Sequence, residues 1–209
     1  MKAETFFSEK EKAEITTAIQ EVELKTSGEL AVMVVDKSDT YPESRLLAGI
    51  IVGALAALGV TDLFFDDSLW VFLPSAVLLT ILISWVVGFL PAVQRYFIPA
   101  ARLEEMVREQ AVQGFYKKGL YKTREATGVL FFISLFEHRV WVLADHGIYE
   151  KISQETLQGY AVDIAKGIKS GQAADALCRE IRRAGEVLAQ HFPVGDDDVN
   201  ELPDQVLHG

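Results

Sequence analysis

The chain has 209 residues, a formal net charge of −10 and a single cysteine, Cys178. That length allows one ordinary domain with an additional segment. The acidic balance excludes the usual basic nucleic-acid interface, and one cysteine excludes an intrachain disulfide or a cysteine-based zinc site.

The N-terminal stretch "MKAETFFSEKEKAE" lacks the apolar core of a signal peptide, so the chain is expected to start in the cytosol. Ser8 followed by Glu11 is a capping-box pattern opening a helix. Ile15, Ala18, Ile19 and Val22 then recur at helical spacing, and Gly28 is expected to end that helix. "ELAVMVV" (Glu29–Val35) is a nearly continuous apolar run, as expected of a strand covered on both faces.

Hydrophobic residues make up half of the chain, but unevenly; from Leu46 to Leu90 the only charges are Asp62, Asp66 and Asp67. Leu46–Phe65 and Leu69–Leu90 each approach the ~20 apolar residues needed to cross a bilayer. The connector between them is too short to fold alone, so a transmembrane helical hairpin is predicted. Arg45, Arg95 and Arg102 flank it and its tip carries no Lys or Arg. This predicts a multi-pass protein of the cytoplasmic membrane with both termini cytosolic. Trp70 and Trp85 lie near the expected interfaces, and Gly49, Gly53 and Gly59 permit close helix approach. No ionisable residue sits mid-span to mark an ion pathway.

Beyond the hairpin, "RLEEMVREQAVQGFYKK" reads as a helix carrying Met106, Val107, Ala111 and Phe115. Thr127–Leu135 is a second buried strand, "FEHR" a tight turn and Val140–Ala144 a third strand. Ser153 caps a further helix, and a last one carries Ala174, Leu177, Ile181, Leu188 and Phe192. The order predicts an α/β fold: a small three-layer sandwich with a short mixed sheet flanked by helices, interrupted by the hairpin. The first two strands, joined through a helix, are expected to be parallel, and the third antiparallel to the second. The predicted divisions are 1–45 and 95–193 for the two parts of the α/β domain, 46–94 for the hairpin and 194–209 for an acidic tail.

The pieces Ser27-Gly28-Glu29, Thr127-Gly128-Val129 and Ala144-Asp145-His146-Gly147-Ile148, in this order and spacing, resemble a TPM domain. That family is named after thylakoid-lumen, photosystem-repair and receptor-modulating members. The resemblance covers about 1–36 and 103–192. It implies a compact α/β sandwich and two candidate properties, calcium binding and a low phosphatase activity.

The strand directions define two edges of the sheet. Asp36 falls with the Glu137-His138-Arg139 turn, the edge from which the membrane link leaves. Glu29, Thr127-Gly128, Asp145 and His146 fall on the other. Glu29, Asp145 and His146 are the first candidate site, able to offer hard ligands to Ca²⁺ or Mg²⁺; the plainer reading makes Asp145, before His146-Gly147, a turn residue and Glu29 a cap or ion-pair partner. The turn reads as solvated, or as a contact with lipid headgroups or a partner. Cys178 lacks the arginine of a phosphatase cysteine loop, and neither a phosphate loop nor metal-type histidine spacing is present.

A second candidate site is the tail, where Asp196, Asp198, Asn200, Glu201 and Asp204 crowd together. It fails as a calcium loop, because position six is Glu201 where Gly is needed and position twelve is Leu207. It reads as a solvated tail, as a docked or partner-binding peptide using Leu202, Pro203 and Val206, or as a loose metal site. The leading expectation is a membrane-anchored accessory protein that binds or modulates other membrane proteins at the cytosolic face. The alternative is a divalent-metal-dependent acid phosphatase. The lipid bilayer and other membrane proteins are the expected partners, with no nucleic acid.

Overall fold

The computed structural model describes residues 2–65, 68–194 and 206–208. The elements run α1 (Glu9–Glu23), β1 (Leu30–Val35), α2 (Pro42–Phe64), α3 (Leu69–Val87), α4 (Pro91–Tyr96), α5 (Ala100–Lys117), β2 (Val129–Ser134), β3 (Arg139–Ala144), α6 (His146–Tyr149), α7 (Gln154–Lys169), α8 (Ala173–His191) and β4 (Leu207–His208). They form two compact units, one of Met1–Ser38 with Glu104–Gly209, the other of Asp39–Leu103.

The first unit is the α/β sandwich. Its sheet has the order β3-β2-β1-β4. β1 and β2 are parallel, with Leu30 opposite Val129 and Val35 opposite Ser134, and β3 returns antiparallel to β2. Period-two alternation sends the two sides of each strand to different layers. Leu30, Val32, Val34, Val129, Phe131 and Ile133 join a core with residues of α1, α7 and α8. Ala31, Met33, Val35, Leu130 and Phe132 pack with Val107, Ala111 and Phe115 of α5. Two-sided cover is why both strands read as unbroken apolar runs.

Ser8 caps α1 in a complete capping box with Glu11. The two bonds of Ser8 to the Glu11 carboxylate hold that carboxyl below its ordinary range. Gly28 does not end this helix, which stops at Glu23. The absent side chain instead admits Leu188, whose Cδ1 would lie 3.3 Å from a Cβ there.

The second unit contains the hairpin, and α2 and α3 are both long and apolar enough to cross a membrane. Ala48, Gly49, Gly53, Ala57 and Thr61 form the buried stripe of α2. A Cβ on Gly53 would lie 2.8 Å from the Thr80 backbone nitrogen of α3, so the two backbones meet where the side chain is missing. The large apolar side chains, among them Leu55, Leu63, Trp70, Leu78, Ile81 and Trp85, are more than half exposed. At its base, Gln94 Nε2 donates to the carbonyls of Thr40 (2.9 Å) and Tyr41 (3.2 Å), and Arg102 pairs with Asp39 and Glu43 at 3.5 Å. These bonds place 39–45 and 95–103 with the hairpin, beyond the limits drawn at 46 and 94 from hydropathy alone.

β4 was not expected as a strand. It lies parallel to β1, with Leu207 opposite Met33 and His208 opposite Val34. Burying Val206 contributes about 1.5–3 kcal/mol. Closing the dozen residues that separate it from Pro193 costs about 2 kcal/mol, so the two terms nearly offset.

Candidate functional site

Two parallel strands and one returning strand bring the start of β1, the start of β2 and the end of β3 to a single edge. There the Val129 N–H donates to the Glu29 carbonyl (2.8 Å) and the Asp145 N–H to the Gly128 carbonyl (2.9 Å). Glu29, Gly128 and Asp145 therefore continue the ladder as one row. Strand spacing puts the two acidic residues about 10 Å apart at Cα. The preceding row, Leu30, Val129 and Ala144, faces the α1/α7/α8 core, so alternation turns this row toward the α5 layer.

Gly128 does not leave a cleft between the carboxylates. A Cβ there would lie 2.5 Å from the Leu120 carbonyl oxygen. The segment after α5 thus crosses the row at its middle residue and occupies the space that Gly128 vacates. It is tied down along its length. Leu120 is buried, the Thr127 N–H donates to Thr123 Oγ1 (3.0 Å), and Ser27 Oγ donates to Glu125 Oε2 (3.0 Å). A Cβ on Gly147 would lie 2.6 Å from the Glu125 carbonyl, so the segment also meets the start of α6.

The three residues of the first candidate site share this edge, as the strand directions require, but in different environments. Glu29 is buried. Asp145 is the N-cap of α6, its Oδ1 accepting from the His146 N–H at 2.7 Å. The His146 ring is largely exposed, with Nδ1 3.3 Å from the same oxygen. Among the described residues no three or more His, Cys, Asp or Glu side chains form a group that could hold a metal. A divalent cation between Glu29 and Asp145 would have to take the Leu120 carbonyl as a further oxygen ligand. The second candidate site, Asp196, Asp198, Asn200, Glu201 and Asp204, lies outside the described residues.

The opposite edge departs from the expected solvated turn. His138 takes a left-handed conformation at φ 51° and is exposed with Arg139, but Glu137 is fully buried. Its carboxylate accepts from the Ser38 N–H (2.8 Å) and from Ser134 Oγ. Ser38 and Ser134 hydroxyls also bond each other at 2.9 Å. Asp36, the other acid of this edge, accepts from the Ala3 N–H. Both carboxylates thus hold chain segments in place. Nothing in the "FEHR" motif distinguishes a buried glutamate from a solvated one; the partner serine is 99 residues away. Cys178 is buried in α8, and burial pushes its thiol up, away from thiolate chemistry.

The molecule belongs to the three-layer α/β class, with an apolar helical hairpin inserted between its first two strands. Its fold is similar to the NMR structure of the BA42 protein from the psychrophilic bacterium Bizionia argentinensis, with a TM-score of 0.61 and 20% identity over 98% of this chain and 96% of that one. Identity at that level shows the fold alone. No family model matches the chain, and no curated protein matches it.

Proposed function

We propose that this protein is a membrane-anchored accessory protein whose TPM-like domain works at the cytosolic face of the cytoplasmic membrane, binding or modulating other membrane proteins. The observation that carries the reading is where the hairpin is inserted. It lies between β1 and β2, which pair along six residues, so both of its flanks are built into one α/β unit. A helical pair with its large apolar side chains exposed needs an apolar solvent, and a bilayer supplies one. Arg45, Arg95 and Arg102 near the base, with no Lys or Arg between the spans, support cytosolic termini. Photo-crosslinking in native membranes from exposed positions of the α/β unit is expected to recover the same membrane protein in independent preparations. Recovery of no reproducible partner would refute the reading.

The second reading, a phosphatase dependent on Ca²⁺ or Mg²⁺, is supported by the TPM resemblance and by Glu29 and Asp145 sharing one row with a carbonyl oxygen between them. It requires phosphate release from a small phosphomonoester that a Glu29→Gln/Asp145→Asn variant loses. Absence of release from the unaltered chain with either metal removes it.

A further inference from the structure

The two flanks of β1 are filled unequally. β2 pairs with all six of its residues, from Leu30 to Val35, whereas β4 pairs with Met33 and Val34 alone. Val129 donates to the carbonyl of Glu29 and Leu135 to that of Val35, so odd-numbered positions direct their backbone groups to β2. The even positions, Leu30, Val32 and Val34, face the other flank. The Leu30 N–H is taken there by the Glu23 carboxylate at 3.1 Å. In the β4 register Val206 stands opposite Val32 without extending the ladder.

The occupant shows what this flank accepts. Val206 joins the core on one side of the sheet, and Leu207 packs against the α5 side. An extended segment thus gains one apolar anchor on each face together with main-chain pairing, which is the recognition mode of strand addition. The segment reaches this place through residues 195–205, which carry five carboxylates and Pro203 and are an unlikely ladder sequence on composition.

We propose that the open flank of β1 is a strand-docking site for an extended segment of another protein bearing two adjacent apolar residues, and that Val206–His208 is the intramolecular occupant this partner displaces. The proposal rests on the accessory-protein reading and names the chemistry of its partner. The short β4 ladder favours exchange, because a longer incoming strand has six residues of β1 to pair with where β4 uses two. Attachment in the same chain gives the tail an effective concentration of order millimolar. A free peptide must therefore compete with it, and disabling the tail must strengthen peptide binding.

The test uses the full chain in detergent and a fluorescent peptide of residues 200–209. The peptide is expected to bind a Val206→Asp/Leu207→Asp chain at least tenfold more tightly than the unaltered chain. The same two substitutions placed in the peptide should abolish binding. Hydrogen exchange at Val32 and Val34 should be faster in the altered chain and slowed again by the peptide, with circular dichroism unchanged. Equal affinity for the two chains, or no binding to a folded altered chain, overturns the proposal. A concentration-dependent dimer of the unaltered chain that the double substitution abolishes would reassign the donor strand to a second copy, and also overturns it. Failure of peptide binding with crosslinked partners still recovered removes this site and leaves the accessory reading. Peptide binding without any crosslinked partner does the reverse.

Discussion

Replacing Glu137 by Ala tests how the α/β unit holds the chain where it leaves β1. The carboxylate is fully buried and accepts from the Ser38 N–H at 2.8 Å and from Ser134 Oγ. Hydrogen bonds to a charged group contribute about 1.5–3 kcal/mol each, and stranding a buried donor costs about 1–3 kcal/mol. Removing the buried charge recovers part of its desolvation penalty, and Ser134 keeps its bond to Ser38 Oγ at 2.9 Å. A net loss of about 3 kcal/mol results from the charged-bond values, which for a unit of this size lowers Tm by about 6–12 °C. Glu137→Gln retains one acceptor and should lose about half as much. Thermal unfolding in detergent, followed by near-ultraviolet circular dichroism, measures both. A change of under about 2 °C for the alanine variant, small on the same scale, would show that Glu137 is solvated and that the buried network is wrong.

Gly53→Leu places a side chain where the Thr80 backbone lies within 2.8 Å, so α2 and α3 must separate; disulfide crosslinking of cysteines placed at Ala57 and on facing α3 positions should fall severalfold, and an unchanged yield would refute the close crossing. The Glu11 carboxyl is held below its ordinary range by Ser8, so its stabilisation is complete above the unfolded-state value and is lost as pH falls through the lowered folded value. The Tm advantage of the unaltered chain over Glu11→Gln should therefore disappear on acidification, and an advantage that grows on acidification would refute this. If Ca²⁺ or Mg²⁺ binds the folded chain at a hundredfold excess over Kd, stabilisation reaches about 2.7 kcal/mol; retention of the Tm shift after Asp196, Asp198 and Asp204 are replaced by Asn assigns it to the Glu29–Asp145 row, and its loss assigns it to the tail.

Much of the α/β frame could be read from spacing, because the signals are local. Ser8 and Glu11 make their capping box within one helical turn, and the apolar runs of β1 and β2 report cover on both faces. The parallel and antiparallel pairings followed from connection length alone. Non-local partners were not legible. Gly28 looked like a helix end because its true constraint, Leu188, is 160 residues away. Glu137 looked solvated for the same reason. Val206 was visible as an apolar residue in an acidic tail, but its seat beside β1 was not. At the candidate site the sequence placed Glu29 and Asp145 on one edge correctly, yet gave no sign that Leu120 would stand between them.

The insertion of the hairpin inside a strand crossover also sets a clock on biosynthesis. Leu30 must wait for Val129, 99 residues later, before its main ladder can form. At about 5–20 residues per second, that delay is roughly 5–20 s. Throughout it "LAVMVV" is an unpaired apolar strand, while the next segments to emerge are the two most apolar in the chain. Early insertion of α2 and α3 into a bilayer would take the competing apolar surface out of reach of β1. A ribosome stalled between the hairpin and β2 would therefore hold a nascent chain with its membrane part complete and its sheet still unformed.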